Sequence, residues 1–518
     1  MAATYEIIAA QLLRINTRNH AAWNDWGAGL CNEALTLPND VAEPMLADAA
    51  RKFAVACDLS PRNVLYWSNF GIALYQQGLR SPDASALPLF REAGEAHERA
   101  VRLSPRRYNS WNEAGICLLE QAKRTERDRC EPLYHAAYVR FAVATDLQPQ
   151  TVLAWSNWGV ALLNHAGRVS NADSPRLAME AATKFERVAH LIPDNSEPFN
   201  NRAAALMDVV KYVPSALGVD AWLADAHAAL TVAISLSPDT VLYWRNRAWV
   251  LMLQARRLPM DKRDAILADA DAQCAIAHRL APEDYVPLMY WGNACGERAR
   301  YAEDAAIAVA HAQEAVAKFE AALKIEPNDA QTWVNWGIVL NGRAYDEPER
   351  RAELFVEANE KFTVAERFDV GNAHLLASWA YTNVGSSRLQ TGEDAERLLA
   401  QAEERATEAL RCQPGSPDAH VVLSEVCIRR ADRDPDRRAA LFAEATSHAN
   451  RADALRPGVA AYNRACIAAL TGDEAGCERY LREAVAGNRV SNRRRVRADE
   501  DLASVRNAPW FHELFGTD

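Results

Sequence analysis

Residues 155–159 read Trp-Ser-Asn-Trp-Gly, and this block decides the fold because related blocks recur along the chain. Successive copies begin 43 to 45 residues apart, with one shorter step before the last copy. The first residues of the blocks are Trp23, Trp67, Trp111, Trp155, Phe199, Trp244, Leu288, Trp333, Leu376, His420 and Ala461. A fixed period of this length predicts a repeat protein, whose units bury apolar surface against their neighbours.

Each unit carries the marks of two antiparallel helices. In residues 67–105, Trp67, Phe70 and Leu74 follow a helical spacing, and a loop rich in helix breakers comes after them. We expect Pro88 to open the second helix, where its missing N–H costs nothing, and Pro105 to end it. The sequence therefore predicts an all-α protein built from helix pairs.

Proline and alanine recur with the same period. The closing prolines are Pro61, Pro105, Pro149, Pro193, Pro238, Pro282, Pro327, Pro414 and Pro457, with Val370 at the one vacant position. Twelve residues before each of these positions stands an alanine: Ala49, Ala93, Ala137, Ala181, Ala226, Ala270, Ala315, Ala358, Ala402 and Ala445. A side chain no larger than methyl is required there, which predicts close approach of two helices.

Composition limits the class of protein. A chain of 518 residues with 49% hydrophobic residues is globular, and its net charge of −11 disfavours a general role in binding nucleic acid or anionic membranes. Ten scattered cysteines without a Cys-x-x-Cys pair indicate reduced thiols. The N-terminus does not resemble a secretion signal, and no apolar run is long enough for a transmembrane helix. We therefore expect a cytoplasmic protein.

These blocks resemble the tetratricopeptide repeat. Its pattern of Trp, Leu-Gly, Tyr, Ala, Phe, Ala and Pro maps onto Trp23, Trp26-Gly27, Leu30, Ala49, Phe53, Ala56 and Pro61. The resemblance implies a right-handed superhelical solenoid of about 11 antiparallel helix pairs, with the first helix of each pair on the concave side. Each unit exceeds the usual 34 residues by about ten, which we expect to lengthen the tips and form a row of loops.

The resemblance covers the whole chain and implies one solenoid over residues 1–518. Residues 1–20 are expected to form an N-terminal capping helix, and residues 21–457 ten extended repeats of about 44 residues. Residues 458–488 would form a short final repeat. Residues 489–518 would form an arginine-rich link and a C-terminal capping helix of the type found in bacterial tetratricopeptide arrays. Its apolar residues, Trp510, Phe511, Leu514 and Phe515, would cap the array or dock a second copy, and capping is favoured.

In the family, the residue two positions after the leading aromatic faces the groove. Six of these positions are asparagine: Asn69, Asn157, Asn201, Asn246, Asn335 and Asn463. A carboxamide both donates and accepts hydrogen bonds, so a row of them could hold the backbone of an extended partner. The row resembles the asparagine ladder of O-linked N-acetylglucosamine transferase. The alternative is that asparagine merely helps to fix the start of each helix.

A cluster of arginines precedes the terminal helix. Its members are Arg489, Arg493, Arg494, Arg495 and Arg497. The cluster could bind an anionic partner. Alternatively, it is a solvated link that offsets the neighbouring Asp499-Glu500-Asp501.

Motifs for other chemistry are absent from the sequence. The first helices lack the lysine and arginine set that a two-carboxylate clamp for chaperone tails requires. Histidine and cysteine show no zinc spacing, and neither a phosphate-binding loop nor a nucleophile elbow is present. The sequence thus predicts no catalytic residues, no metal and no cofactor.

The leading hypothesis is a non-enzymatic scaffold or adaptor that holds a partner polypeptide in its concave groove. The alternative is an accessory or regulatory subunit that clasps a folded partner within an enzyme or assembly complex. A protein or peptide partner is expected in either case, nucleic acid is not expected, and a monomer is favoured over an oligomer.

Overall fold

A computed structural model describes residues 11–12, 16–169, 173–213, 217–487, 490 and 492–516 of the chain. Over these residues the protein is helical and contains no β-strand. The chain divides into two compact units, Met1–Ser237 and Pro238–Asp518. The predicted all-α fold of antiparallel helix pairs is confirmed in each unit, because every helix packs most closely against its neighbours in sequence.

The described part of the first unit consists of successive helix pairs. They are α1 His20–Ala34 with α2 Asn39–Leu59, α3 Val64–Gly78 with α4 Asp83–Leu103, α5 Tyr108–Arg124 with α6 Glu131–Leu147, α7 Val152–Val169 with α8 Ser174–Leu191, and α9 Glu197–Tyr212 with α10 Val219–Leu236. The odd-numbered helices are the first helices of the pairs. Of the expected capping helix over residues 1–20, the structure describes residues 11–12 and 16–20, and the other residues lie outside the described part of the chain.

The second unit continues the same alternation. Its pairs are α11 Val241–Ala255 with α12 Met260–Leu280, α13 Val286–Tyr301 with α14 Ala305–Ile325, α15 Ala330–Asp346 with α16 Arg351–Phe368, α17 Ala373–Ser387 with α18 Gly392–Cys412, α19 Pro417–Ala431 with α20 Arg438–Leu455, and α21 Ala461–Thr471 with α22 Glu474–Ala486. The short helix α23 Arg493–Ala498 and α24 Pro509–Phe515 follow. The last pair is the shortest, with helices of 11 and 13 residues.

The expected row of loops is wrong, because the extra residues lengthen the helices. Many second helices, such as Asn39–Leu59, contain 21 residues, and only residues 35–38 separate this helix from α1. The expectation that Pro88 opens a helix is also wrong, since α4 begins at Asp83. Pro88 and Ala84 are both exposed, so water can bond to the Ala84 carbonyl that lacks its usual N–H partner.

The recurring alanines lie buried between helices, as predicted. All ten are completely buried: Ala49, Ala93, Ala137, Ala181, Ala226, Ala270, Ala315, Ala358, Ala402 and Ala445. Five block glycines, Gly27, Gly115, Gly159, Gly292 and Gly337, lie against a phenylalanine ring of the second helix, and Gly71 lies against the His97 ring. A Cβ on Gly159 would come within 2.7 Å of Phe185 Cζ, so only glycine leaves room for the ring.

The leading tryptophans explain the fixed step from proline to tryptophan. The indole Nε1 of Trp67 donates a hydrogen bond to the carbonyl oxygen of Pro61 at 2.9 Å. Trp111, Trp155, Trp244 and Trp333 make the same bond to the proline six residues earlier. Each bond satisfies a carbonyl at the turn between two repeats, so these tryptophans are structural.

The terminal aromatic residues pack on the last helix pair. Phe511 and Phe515 are buried in one apolar cluster with Cys466 and Leu481, and Trp510 and Leu514 pack against its edge. Burial of this kind covers the apolar face that an open last repeat would expose.

One helix within the described residues, Val219–Leu236, is long and apolar enough to cross a membrane by length and composition alone. It carries Asp220 and Asp225, and it packs against α9 through a face that includes Leu223 and Leu230. The second helix of a repeat passes the same test for this reason, so the finding is weak evidence for a membrane span.

Candidate functional site

The first helices line one side of each unit. Within the first unit α1 contacts α3 and α5 contacts α7, and within the second unit α11, α13, α15, α17, α19 and α21 contact one another in succession. We call this side of each unit the first-helix face. It carries the six asparagines that the sequence singled out.

Two of these asparagines are held by a buried asparagine of the preceding repeat. Asn69 Nδ2 donates to Asn24 Oδ1 at 2.8 Å, and Asn157 Nδ2 donates to Asn112 Oδ1 at 3.0 Å. Asn24 and Asn112 are buried, whereas Asn69 and Asn157 are half-buried. One N–H of each outer carboxamide is therefore committed, and among the described residues no hydrogen bond reaches Asn69 Oδ1 or Asn157 Oδ1.

The other four asparagines are engaged in different ways. Asn201 Oδ1 accepts a bond from Asn200 at 3.3 Å, and Asn335 Oδ1 accepts one from Gln331 at 2.8 Å. Asn463 is buried and donates to the Val421 carbonyl and Glu425 Oε2, both at 3.4 Å. Asn246 lies half-buried on α11. The pairs at Asn69 and Asn157 share one geometry.

Sequence reasoning missed Asn24 and Asn112. Each stands one residue before the expected groove position, and the signal was available because Asn also follows Trp23 and Trp111 directly. The adjacent acidic residues belong to the same face. Asp25 is exposed and accepts a 3.2 Å hydrogen bond from Asn24 Nδ2, while Glu113 Oε2 lies 3.1 Å from Nδ1 of the buried His97.

In the second unit the C-terminal part of the chain lies across the ends of the first helices. We call residues 492–502 the crossing segment. Asn492 Nδ2 donates to the Ala302 carbonyl after α13, and Arg494 and Arg495 bind the carboxylate of Asp346 at the end of α15. Arg495 also donates to the Gly342 carbonyl at 3.1 Å. The Asp346 side chain is 2% exposed, so the segment covers it.

The acidic end of the crossing segment meets two arginines of the next repeats. Arg388, after α17, lies 3.1 Å from Asp501 and 3.6 Å from Asp499, and Arg429 of α19 also binds Asp501. The Tyr462 hydroxyl donates to Asp499 at 2.8 Å. Burial opposes the charged form of Arg388, but Glu425, Asp501 and Asp499 raise its pKa above the ordinary value. These groups form a buried, charged cluster.

The structure thus separates the members of the arginine cluster. Arg489 lies outside the described residues, and Arg493 is exposed. Arg494 and Arg495 pair with Asp346, and Arg497 donates to the Phe515 carbonyl. Asp499 and Asp501, which the cluster was expected to offset, instead pair with Arg388 and Arg429. Each charged part of the segment thus pairs with opposite charges at the end of a helix that is distant in sequence.

One group of side chains within the described residues has the spacing of metal ligands. The ligand atoms of Cys466, Asp499 and Asp501 lie within 4.8 Å of one another. Arg388 and Arg429 already neutralise the two carboxylates, and burial raises the pKa of the Cys466 thiol well above its usual range. A cation would have to displace two guanidinium groups and a thiol proton, so these residues fit a metal poorly.

No protein-family model and no curated protein matches this chain. Among solved structures the chain is similar to yeast Tom70, with 13% identity, a TM-score of 0.41, and coverage of 92% of this chain and 98% of the other. It is also similar to a human IFIT1 dimer with PPP-AAAA, with 13% identity, a TM-score of 0.34, and coverage of 88% and 94%.

A third similar structure is YrrB, described as a TPR protein with an unusual peptide-binding site. It has 16% identity and a TM-score of 0.27, and the match covers 46% of this chain and 96% of YrrB. The fold is tetratricopeptide-like because its helices pack in successive pairs and its recurring repeat residues are buried.

Proposed function

We propose that this protein is a non-enzymatic scaffold that binds an extended polypeptide on the first-helix face of its first unit. The observation that carries the proposal is the repeated pair Asn24–Asn69 and Asn112–Asn157. In each pair a buried carboxamide orients the outer one, whose Oδ1 accepts no hydrogen bond among the described residues. The same arrangement recurs two repeats later, which suits a partner that spans several repeats.

Backbone recognition follows from the chemistry of a carboxamide. Its Oδ1 accepts an N–H from any residue of a partner, and the second N–H of Nδ2 can donate to a partner carbonyl. The buried Asn24 and Asn112 already restrict the side chains of Asn69 and Asn157. Binding of a peptide therefore costs less side-chain entropy, which favours affinity. The asparagines can therefore bind a backbone without requiring one sequence.

Charge narrows the class of partner. Asp25 follows Asn24, and Glu113 follows Asn112, so an acidic side chain accompanies each asparagine pair. With a net charge of −11 on the chain, the face favours a polypeptide with basic side chains and disfavours nucleic acid. Because the similar human IFIT1 dimer was solved with PPP-AAAA, an oligonucleotide of that kind is the matching control ligand.

The cysteines support a reducing compartment, and we propose the cytoplasm. All ten are free, and nine of them are buried. Burial raises the pKa of Cys57 to about 12, with a smaller contribution from Asp58, so this thiol stays protonated. A protonated, buried thiol is a packing residue rather than a nucleophile.

The test begins with a displayed random-peptide library selected against the full chain. Affinity of the best peptide is then measured for the wild type, for the double variant Asn69→Ala/Asn157→Ala, and for the control Asn359→Ala. Asn359 lies on the second helix α16, donates to the Phe355 carbonyl, and accepts from Trp379 Nε1 at 2.6 Å. The Asn359→Ala substitution also removes side-chain hydrogen bonds, but these lie away from the first-helix face.

The double variant should bind the selected peptide about tenfold more weakly, whereas Asn359→Ala should stay within about twofold of the wild type. Equal affinity of the double variant would overturn the proposal. Failure to select any peptide would also overturn it and would favour a folded partner. An adenine oligonucleotide with a 5′-triphosphate serves as the nucleic-acid control, and binding in preference to the peptide would contradict the proposal.

A further inference from the structure

We propose that the crossing segment, residues 492–502, is an internal ligand of the second unit. It occupies in cis a site for a partner polypeptide in which two adjacent basic residues precede an Asp-x-Asp pair. The inference rests on the proposed function only in that both assign polypeptide binding to the first helices of the repeats. It concerns different residues in a different unit.

The first argument is the charge order. The helix ends present the acid Asp346 on α15, followed by the bases Arg388 and Arg429 after α17 and on α19. The crossing segment presents the reverse order, Arg494 and Arg495 before Asp499 and Asp501. Ion pairs at both ends fix its direction across these helix ends, which gives the site specificity for sequence order.

The second argument is the nature of the contacts. Val496 and Leu502 are buried in the apolar cluster of the last helix pair, and the rest of the segment is attached through charged and polar groups. Arg494 and Arg495 keep 27% and 22% of their side chains exposed, so solvent and salt screen their pairs with Asp346. Such contacts can exchange for equivalent contacts from another chain, because a competitor with the same charges leaves no ion unpaired.

The third argument is the tether. Val505, Phe511 and Phe515 are buried against the last helix pair, beyond the segment. The chain end therefore stays on the protein when the segment leaves the helix ends. A tethered segment competes at a high effective concentration, so a peptide with the same contacts displaces it only in large excess, whereas a partner with additional contacts displaces it at lower concentration. The result is an autoinhibited site that opens to a multivalent partner.

The test uses a fluorescent peptide with the sequence of residues 490–506 and the full-length protein. The release variant Arg495→Ala/Asp501→Asn removes one positive and one negative contact of the crossing segment. The matched control Arg493→Ala/Glu500→Gln removes one charge of each sign from exposed positions of the same segment. A third variant adds Asp346→Asn to the release variant and removes the acid that the peptide would bind.

The peptide should bind the release variant about tenfold more tightly than the wild type, and the control should match the wild type. Adding Asp346→Asn should reverse the gain. Equal binding to the wild type and the release variant, or binding to neither, would overturn the proposal. None of these results depends on Asn69 or Asn157, so failure here leaves the test of the first unit intact.

A measurement on the wild type guards against a release variant that does not fold. Hydrogen exchange is followed at Arg495 and Val496, whose amides bond to Asn492, with and without excess peptide. Exchange should accelerate there while residues 509–515 stay protected, because only the crossing segment is displaced. Unchanged exchange at saturating peptide, or loss of protection in both regions together, would contradict an internal ligand.

Discussion

Phe185 of α8 lies directly against the backbone of Gly159 in α7, where a Cβ would come within 2.7 Å of the ring atom Cζ. The same contact occurs between Gly115 and Phe141, and between Gly337 and Phe362. Where the repeat has alanine in place of glycine, as at Ala203 and Ala248, the ring position holds the smaller Leu230 and Cys274. Glycine and ring therefore form one packing unit.

The first prediction follows from this pair. Gly159→Ala should lower the free energy of unfolding by about 1–3 kcal/mol, because the buried ring cannot move without disturbing its neighbours. Gly167→Ala, in the same helix, is the control, since a Cβ there meets nothing within 4 Å. The control should be neutral or stabilising by about 0.5 kcal/mol. Urea unfolding measures both.

A compensating change extends that prediction. In Gly159→Ala/Phe185→Leu the smaller side chain should accept the new methyl group, as the natural Ala203 and Leu230 positions suggest. A double-mutant cycle should give a favourable coupling of about 1 kcal/mol. If the changes in unfolding free energy of the two single variants simply add, the contact between residues 159 and 185 does not explain why glycine occurs with phenylalanine.

The second prediction concerns two neighbouring tryptophans. Trp155→Phe removes the Nε1 donor to the Pro149 carbonyl, whereas Trp158 Nε1 is buried without a hydrogen-bond partner among the described residues. Both substitutions lose similar ring area. Trp155→Phe should therefore cost about 1 kcal/mol more than Trp158→Phe in thermal or urea unfolding. Equal losses of unfolding free energy in the two variants would contradict the hydrogen bond as the reason why a proline stands six residues before most leading tryptophans.

The third prediction is a pH dependence. His420 Nδ1 and His448 Nδ1 lie 3.2 Å apart, and burial is the main cause that lowers the pKa of both rings. Each ring also faces Arg451, while Glu444 and Glu403 act in the opposite direction on His448.

The unfolded state therefore binds these protons more readily, and stability falls as the pH drops below about 6.5. Unfolding free energies at about pH 7.5 and about pH 5.5 measure the loss, which should be smaller in His448→Gln. An identical loss in the variant would assign the pH dependence to other groups.

The fourth prediction concerns Asp346. Asp346→Asn leaves Arg494 and Arg495 without their carboxylate and should lower the free energy of unfolding by about 2 kcal/mol. The wild type should lose more stability than the variant between about 0.1 M and about 0.5 M NaCl, because the variant lacks the screened pairs. Asp83→Asn is the control, since its carboxylate is 91% exposed while it pairs with Arg124, and it should change little.

Much of this fold could be predicted because its determinants are local and repeated. The buried alanines, and in most repeats the glycine and the closing proline, occupy a fixed register, so each copy supports the others. The sequence predicted longer tips together with a row of loops, but it could not divide the insertion between them, because about ten residues form either loops or further helical turns at similar local cost. Pro88 was wrongly expected to open a helix, because an exposed position inside a helix tolerates proline.

The candidate site was less predictable. The groove asparagines could be found from their register, but their partners could not, because Asn24 and Asn69 meet only when two repeats pack. The crossing segment was out of reach, since Arg495 and Asp346 lie 149 residues apart and no repeat relates them. Adjacent opposite charges in the sequence suggested local neutralisation, whereas the fold pairs each charge with a distant helix end.

The most direct test of the account is hydrogen exchange of the full-length wild type bound to a peptide selected from the random library. The account predicts new protection in the first helices α3 and α7, which carry Asn69 and Asn157, while their second helices α4 and α8 stay unchanged. Protection confined to second helices, or no protection on α3 and α7 at saturating peptide, would contradict the claim that the first-helix face binds polypeptide.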